Sequence, residues 1–225
     1  MTEGTKNVLG QAEIEEEIRN ASLEDREINF RGKILSSFNL RKRIIERNLN
    51  LEAAIILGDI SLEESIIKGT FVFNEAVVRG SFSFNKGFLR GDLNMDRSKI
   101  RGAVNLVEAK IAGSLNFEEA EISGFLSLAK AEVRRNLNFQ RIRLNDAYHS
   151  GLVIKGDLYL RRASVWGNLD LRDAFIEGGI DMTKAFIGGG IVLAGAEIEE
   201  ELVLKDLRTK GKIVLDNTKY KEKIK

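Results

Sequence analysis

Residues 58–101 read GDISLEESIIK, GTFVFNEAVVR, GSFSFNKGFLR and GDLNMDRSKIR, four consecutive 11-residue segments that each begin with glycine. The period covers most of the 225-residue chain: 15 undisturbed repeats begin at 47, at every eleventh residue from 58 to 135, and at every eleventh residue from 156 to 211. Positions 3 and 5 are apolar in all 15 repeats, position 8 is Ala, Ser or Gly in 12, position 10 is Ile, Val or Leu in 13, and position 1 is Gly in 12. Such self-similarity indicates stacked structural repeats.

The apolar positions favour strands over a helix. On a helix of 11-residue repeats, positions 3, 5, 8 and 10 scatter around the axis and form no stripe, and each glycine costs about 1 kcal/mol. As strands, positions 3 and 5 point inward around polar position 4, and positions 8 and 10 do so around position 9. Gly at position 1 predicts a corner that needs a positive φ or a close backbone approach. The sequence therefore predicts an all-β protein, a parallel β-solenoid of about nine coils of about 22 residues.

Several segments resemble the pentapeptide-repeat motif, in which a small residue precedes a large central apolar one by two positions. They are Ala109-x-Ile111, Ala120-x-Ile122, Ala174-x-Ile176, Ala196-x-Ile198 and the pentapeptide at 21–25. The resemblance covers about residues 21–221 and implies a right-handed quadrilateral β-helix. Two features depart from the family pattern. Central residues are spaced 5 and then 6 apart, and on alternate faces a large residue such as Leu93 replaces the small one. A three-sided coil therefore remains an alternative.

The ends of the chain differ from its repeats. We assign residues 1–25 to an N-terminal helical cap, residues 26–221 to the solenoid and residues 222–225 to a charged tail. Within the cap, residues 11–20 read as a short helix with Ile14 and Ile18 on one side. A cap is expected because a solenoid end exposes unpaired strand edges, and a partner-binding helix is the alternative. The irregular unit at 146–155 is expected to be one more half-coil, with His149 pointing inward.

Composition excludes several classes of function. The chain has 35 Lys+Arg against 34 Asp+Glu, one His, no Cys and no Pro. It therefore has no disulfide, thiolate metal site or cysteine nucleophile, and a single His cannot form a multi-histidine metal centre. Residues adjacent to His149 alternate in direction along a strand, so they cannot converge as a catalytic triad. We predict no catalytic, cofactor-binding or metal-binding residue and no cofactor. No apolar run is long enough to span a bilayer, and a cytoplasmic location is expected.

Two kinds of surface residue stand out. Apolar residues recur at outward positions 9 and 4, and single exposed apolar residues need no explanation whereas clusters suggest covered surface. In the first repeats, the N-terminal segment is expected to cover them. Near the C-terminus such residues, together with Trp166 at position 11, predict an interaction or homodimer surface, which comprises Val192, Val203, Val214, Phe175, Phe186 and Trp166. Asparagines at position 4 are expected to be a solvated face, with a glycan- or ice-binding ladder as the alternative.

Basic residues at position 11 form a possible polyanion-binding edge. Because two repeats make one coil, Lys68, Arg90 and Arg134 share one edge, and Arg79 and Arg101 share the opposite one. Acids at position 7 are expected nearby, which disfavours nucleic-acid binding on charge grounds.

The function predicted from these features is a non-enzymatic scaffold whose partner is another protein or a second copy of the chain. No small-molecule substrate is evident. One alternative follows from the resemblance, because some pentapeptide-repeat proteins mimic DNA and regulate topoisomerases; the balanced charge argues against it. A head-to-tail filament is a further alternative. Enzyme activity ranks last.

Overall fold

A computed structural model describes residues 7–145, 147–149, 152–154 and 156–221. The chain is a parallel β-solenoid of about nine coils, and each coil contributes one short strand to each of four faces. We number the faces 1 to 4 in the order in which the chain visits them from Ile28 onward. Strands on one face pair with the strands one coil away in the chain, as Phe71 does with Leu93. The four faces exclude the three-sided alternative.

The strands of each face are short, and nearly all have two residues. Face 1 comprises Ile28–Asn29, Leu49–Asn50, Phe71–Val72, Leu93–Asn94, Leu115–Asn116, Leu137–Asn138, Leu169–Asp170, Ile191–Val192 and Ile213–Val214. Face 2 comprises Val8–Leu9, Ile34–Leu35, Ile55–Ile56, Val77–Val78, Lys99–Ile100, Glu121–Ile122, Arg143–Leu144, Phe175–Ile176, Glu197–Val203 and Lys219–Lys221. Face 3 comprises Phe38–Asn39, Ile60–Ser61, Phe82–Ser83, Val104–Asn105, Leu126–Ser127, Leu158–Tyr159 and Ile180–Asp181. Face 4 comprises Ile44–Ile45, Ile66–Ile67, Phe88–Leu89, Lys110–Ile111, Glu132–Val133, Ser164–Val165, Phe186–Ile187 and Arg208–Thr209.

The strand Glu197–Val203 runs from face 2 onto face 3, where Leu202 pairs with Ile180. No helix in the described ranges has the length and apolar character that crossing a membrane requires.

The repeat positions account for the core. Strands occupy positions 3–4 and 9–10, and the side chains at positions 3, 5, 8 and 10 point inward. In the repeat that begins at residue 113, Leu115, Phe117, Ala120 and Ile122 are all fully buried. The predicted inward positions are confirmed. Because each strand is so short, stability depends on this continuous apolar column and not on any single strand.

Backbone hydrogen bonds join every coil to the next. Phe73 N donates to Asn94 O at 2.7 Å in the following coil, and Arg79 N donates to Ile56 O at 2.9 Å in the preceding coil. Proline lacks this donor, so its absence from the chain suits a ladder that uses N–H groups in both directions.

Each half-coil contains one tight turn at positions 5 to 8. In the turn at 62–65, Ser65 N donates to Leu62 O at 3.2 Å, and Glu64 at position 7 has φ 58°. A positive φ at the third residue is typical of a type II turn. Apart from Asp25, every non-glycine residue with positive φ in the described ranges is at position 7. The residues whose backbone adopts the left-handed conformation are therefore mostly charged.

The glycines at position 1 allow the backbones of neighbouring coils to approach each other closely. None of them has a positive φ, whereas a Cβ at Gly80 would lie 2.1 Å from Asp59 Oδ1 and 2.8 Å from the backbone of Gly58. The same Asp59 oxygen accepts a hydrogen bond from Ser81 N at 2.8 Å. An Asx side chain at position 2 thus binds the next coil only where that coil has glycine. This contact recurs at six position-2 residues, Asn48, Asp59, Asp92, Asn136, Asp157 and Asn168.

The helix Gln11–Leu23 covers the first coil, as predicted for a cap. Ile14 is fully buried in the core, and Ile18 packs against it. The Gln11 amide donates to Asn39 O at 2.8 Å and accepts from Asn39 N at 3.3 Å, and Glu17 Oε1 accepts from Asn29 N at 3.1 Å. Strand edges on faces 1 and 3 therefore receive side-chain partners, while Val8–Leu9 pairs with the edge of face 2.

The expectation for residues 146–155 is wrong. Ala147–His149 and Leu152–Ile154 form an antiparallel hairpin, and neither strand joins a face. On all four faces the strands before this segment pair directly with the strands after it, as Leu126 does with Leu158. Ala147–His149 and Leu152–Ile154 therefore belong to an insertion at the corner between faces 2 and 3. The segment resembled a half-coil because a hairpin also alternates apolar residues.

Candidate interaction surfaces

The position-4 asparagines have a structural role. Asn116 Oδ1 accepts a hydrogen bond from Glu118 N at 3.0 Å, which closes the turn that follows the strand as an Asx turn does. Asn29, Asn39, Asn50, Asn94, Asn105 and Asn138 do the same. On face 1, Asn116 Nδ2 also donates to Asn94 Oδ1 at 3.2 Å in the preceding coil. Because their oxygens already cap turns, these amides are poorly placed to bind a ligand.

Charged residues at position 7 form ion pairs between successive coils on two corners. Between faces 1 and 2, Arg97 pairs with Glu75 at 3.0 Å, and Arg141 pairs with Glu119 at 2.8 Å. Between faces 3 and 4, Lys130 donates to Glu108 at 2.9 Å, and this hydrogen bond lowers the pKa of Glu108.

A shallow depression of about 540 Å³ lies beside the first of these corners, on face 2. Its lining includes Lys99, Glu121, Arg141 and Glu119, which are already paired, Lys99 with Glu121 at 3.3 Å and Arg141 with Glu119 at 2.8 Å. Arg143 and Asp173 also line the depression and form no ion pair among the described residues, so it carries both paired and unpaired charges of opposite sign.

The predicted basic edge lies on a different corner, between faces 4 and 1. Lys68, Arg90 and Arg134 follow strands of face 4 in register, with Ala112 between the two arginines. Lys68 pairs with Glu46 at 2.8 Å, whereas Arg90 and Arg134 have no acidic partner among the described residues. The position-7 acids are not adjacent to this edge, because the tight turns form the other two corners.

Two outward apolar strips run along the first coils. Ile34, Ile55 and Val77 are consecutive register partners on face 2. Ile44, Ile66 and Phe88 form the second strip on face 4, where Ile44 is 60% exposed and Phe88 39%. Residues 7–25 lie at the end of the solenoid, so this part of the N-terminal segment does not cover the strips. Residues 1–6 lie outside the described residues.

The structure distributes the six predicted interaction residues over all four faces. Val192 and Val214 are register partners on face 1, but Val203 is on face 3 and Phe175 is on face 2. The three valines therefore do not form one surface. Equivalent positions in successive repeats lie on opposite faces, and only positions separated by two repeats share a face.

Two of the six predicted residues, Trp166 and Phe186, are in contact and form a surface patch together with Lys210. The rings of Trp166 and Phe186 meet edge to face with centroids 5.5 Å apart, and Lys210 Nζ lies 5.9 Å from the Phe186 centroid. We call these three residues the aromatic patch. Trp166 is 55% exposed, so the patch presents an indole on the corner between faces 4 and 1, next to the basic edge.

Sequence reasoning missed a polar cluster on face 3. Tyr159 Oη donates to Asp157 Oδ2 at 2.7 Å, and burial together with this carboxylate raises the pKa of Tyr159 to about 12. Burial tends to raise the pKa of Asp181, but hydrogen bonds from Thr183 and Arg161 outweigh it and the pKa is lowered. Arg161 Nε donates to Asp181 at 2.9 Å. A sequence feature that could have revealed this cluster is the presence of Tyr159 and Asp181 at position 4, where Asn or Ser is usual.

His149 lies on the inserted hairpin, where it pairs with Leu152. It is therefore not in an inward position of a coil. The direction of its side chain, and the neighbours Asp146 and Ser150, lie outside the described residues.

Comparison with known proteins found no match: no protein-family model, no curated protein and no solved structure is significantly similar to this chain. What is established is therefore a repeat β-helix of stacked coils, each made of two repeats.

Proposed function

We propose that the protein is a non-enzymatic scaffold, a rigid rod that presents its surface to a protein partner. The observation that carries this proposal is the unbroken coil-to-coil ladder, which joins neighbouring coils on every face and fixes each outward side chain relative to the next. Surface groups in such a rod are held in register over many coils, which suits recognition of an extended partner.

The surface chemistry supports a protein partner. The aromatic patch combines an exposed Trp, a Phe and a Lys, and aromatic residues are enriched where protein interfaces gain most of their binding energy. Many charges elsewhere form ion pairs along the position-7 corners, and two ion pairs, Lys99 with Glu121 and Arg141 with Glu119, line the depression on face 2. Neither the aromatic patch nor these ion pairs bring together the nucleophile, base and acid that catalysis requires.

We further propose that the fold is a degenerate, wider variant of the pentapeptide-repeat helix. Its four faces and its type II turns support this relationship. DNA mimicry is disfavoured because acids and bases alternate along the corner between faces 1 and 2, whereas a mimic needs a continuous acidic surface.

A quantitative pull-down from the native host tests the scaffold. We expect wild type and the control Glu132→Ala, an outward residue of face 4 outside the patch, to capture the same protein. Trp166→Ala should lose that protein by at least tenfold while the melting temperature stays within a few degrees. If no surface variant changes what the wild-type protein captures, the proposal is wrong.

A further inference from the structure

The two ends of the solenoid differ in how they are closed. We define the head as residues 11–27, which include the capping helix, and the tail as residues 204–221, which carry the last strands of faces 4, 1 and 2. At the head, the strand edges of faces 1, 2 and 3 receive partners from Glu17, Val8–Leu9 and Gln11. At the tail, nothing in the described part of the chain lies over the strands.

The open tail exposes core positions. Ile213 and Leu215 are 39% and 37% exposed, whereas Ile191 and Leu193, which occupy the same positions one coil earlier, are fully buried. In the earlier coils, N–H groups at positions 3 and 5 donate to the following coil, as Ile191 N does to Lys212 O at 2.9 Å. The corresponding groups of Ile213 and Leu215 have no acceptor among the described residues. Within the described residues, the tail therefore combines exposed apolar side chains with backbone N–H groups that have no acceptor.

The tail is also basic. Residues 204–221 contain six basic residues and two acids. Lys219 pairs with Glu197 at 2.5 Å, but Lys205, Arg208 and Lys212 have no acidic partner among the described residues. Positive charge thus lies along faces 4 and 1 of the apolar end, whereas Glu199, Glu200 and Glu201 border this end at the corner between faces 2 and 3.

The head has the opposite charge. Residues 11–27 contain seven acids and two basic residues. Four of the acids, Glu15, Glu17, Glu24 and Asp25, form ion pairs with arginines of the cap and the first coils. Glu16 has no such partner among the described residues and is exposed on the outer side of the helix, with Ala12 and Arg19. Leu23, at the end of the same side, is 80% exposed. The head therefore presents carboxylates beside an apolar residue.

We propose that a second copy of this chain covers the tail, with the head of one copy docked on the tail of the next. This inference rests on the proposed scaffold function and names its partner. The two ends share one coil cross-section, so their outlines match. Lys and Arg side chains and free N–H donors of the tail meet carboxylates of the head, and Ile213 and Leu215 are shielded against the helix. A tail-to-tail pair would instead bring two basic surfaces together.

The size of the contact sets its expected strength. A coil of about 22 residues with four sides has sides of at most about 18 Å, so the end covers about 300 Å² within the backbone outline. Outward side chains widen it, but it stays near or below the roughly 800 Å² per partner of a standard interface. We therefore expect weak association that rises with concentration and falls with salt, because much of the attraction is between exposed charges.

Two charge-reversal variants test the direction of docking. Lys205→Glu with Lys212→Glu gives the tail variant, and Ala12→Lys with Glu16→Lys gives the head variant. By analytical ultracentrifugation at low salt, wild type should grow beyond dimer mass as its concentration rises, and high salt should return it to monomer. Each variant alone should stay monomeric with an unchanged melting temperature. An equimolar mixture of the two should associate again, because each basic end then meets an acidic one.

A cysteine cross-link provides an independent readout, since the native chain has no cysteine. Leu23→Cys mixed with Leu215→Cys should give a disulfide-linked heterodimer at low salt, and neither protein alone should cross-link to itself. Self-linked Leu215→Cys, wild type that stops at a dimer, or wild type that stays monomeric would each overturn the proposal. So would association seen only after truncation behind Lys221, which would mean that residues 222–225 cover the tail. A monomer that still captures a host protein through the aromatic patch would leave the scaffold function standing.

Discussion

Replacing Gly113 with alanine tests whether position-1 glycines are required by close coil-to-coil contact. A Cβ at Gly113 would lie 2.2 Å from Asp92 Oδ1 and 2.5 Å from Gly91 O. Asp92 would have to release its 2.6 Å hydrogen bond from Ser114 N, at a cost of about 1.5 kcal/mol at this exposed site. The backbone contact remains, and moving the coils apart costs about 1–3 kcal/mol. After about 0.5 kcal/mol is recovered from the stiffer unfolded chain, the expected loss is about 2–4 kcal/mol.

Gly124→Ala is the matched control, because Gly124 is also at position 1, in the next half-coil. Its added Cβ would come no closer than 3.1 Å to Ala103 N and the backbone of Gly102, and Ala103 has no side-chain oxygen. The expected loss is about 0–1 kcal/mol. Urea unfolding followed by circular dichroism measures both variants, and a lower midpoint at constant slope indicates a true loss of stability. Equal losses for the two variants would refute the reasoning.

Three further predictions concern the turns, the face 3 cluster and the insertion. Ala53 is exposed with φ 53°, so Ala53→Val should lower the free energy of unfolding by about 1–2 kcal/mol while Ala53→Gly should be nearly neutral; equal urea midpoints would contradict this. In an ultraviolet titration, one tyrosine should ionise near pH 12, and Tyr159→Phe should abolish that step. Because the folded-state pKa is raised above about 10, the contribution of Tyr159 to stability should be complete below pH 10 and lost as the pH rises through about 12. Deleting residues 146–155 restores the regular coil spacing, so the melting temperature should stay within a few degrees of wild type, and a loss of cooperative unfolding would show that the segment belongs to the coil.

Much of the fold could be predicted from the sequence, because burial in a solenoid repeats locally. An inward residue such as Leu115 is recognised by its own repeat and its copies, whatever lies elsewhere in the chain. The capping helix was predicted for the same reason, since its two isoleucines and its place before the first repeat are local signals. Positive φ at position 7 was not predicted, because Lys and Glu carry no conformational signature and the neighbouring coils impose the turn.

The surfaces could be predicted only in part, because their residues meet across coils. Lys68, Arg90 and Arg134 were placed together correctly, since whole coils separate them in the chain. Val203 was wrongly grouped with Val192, from which it is separated by one repeat and hence by half a turn of the coil.

The sequence alone therefore determined the period, the inward positions and the parallel solenoid, because each follows from alternation within a single repeat. Only the tertiary structure decided why position 1 is glycine, since the atoms that exclude a Cβ belong to the preceding coil. It also decided that Ala147–His149 and Leu152–Ile154 form a hairpin outside the stack, and that, among the described residues, the head has a cover that the tail lacks. These features depend on contacts between residues that are a whole coil apart in the chain but only about 4.8 Å apart in space. The pattern within a single repeat contains no information about such contacts.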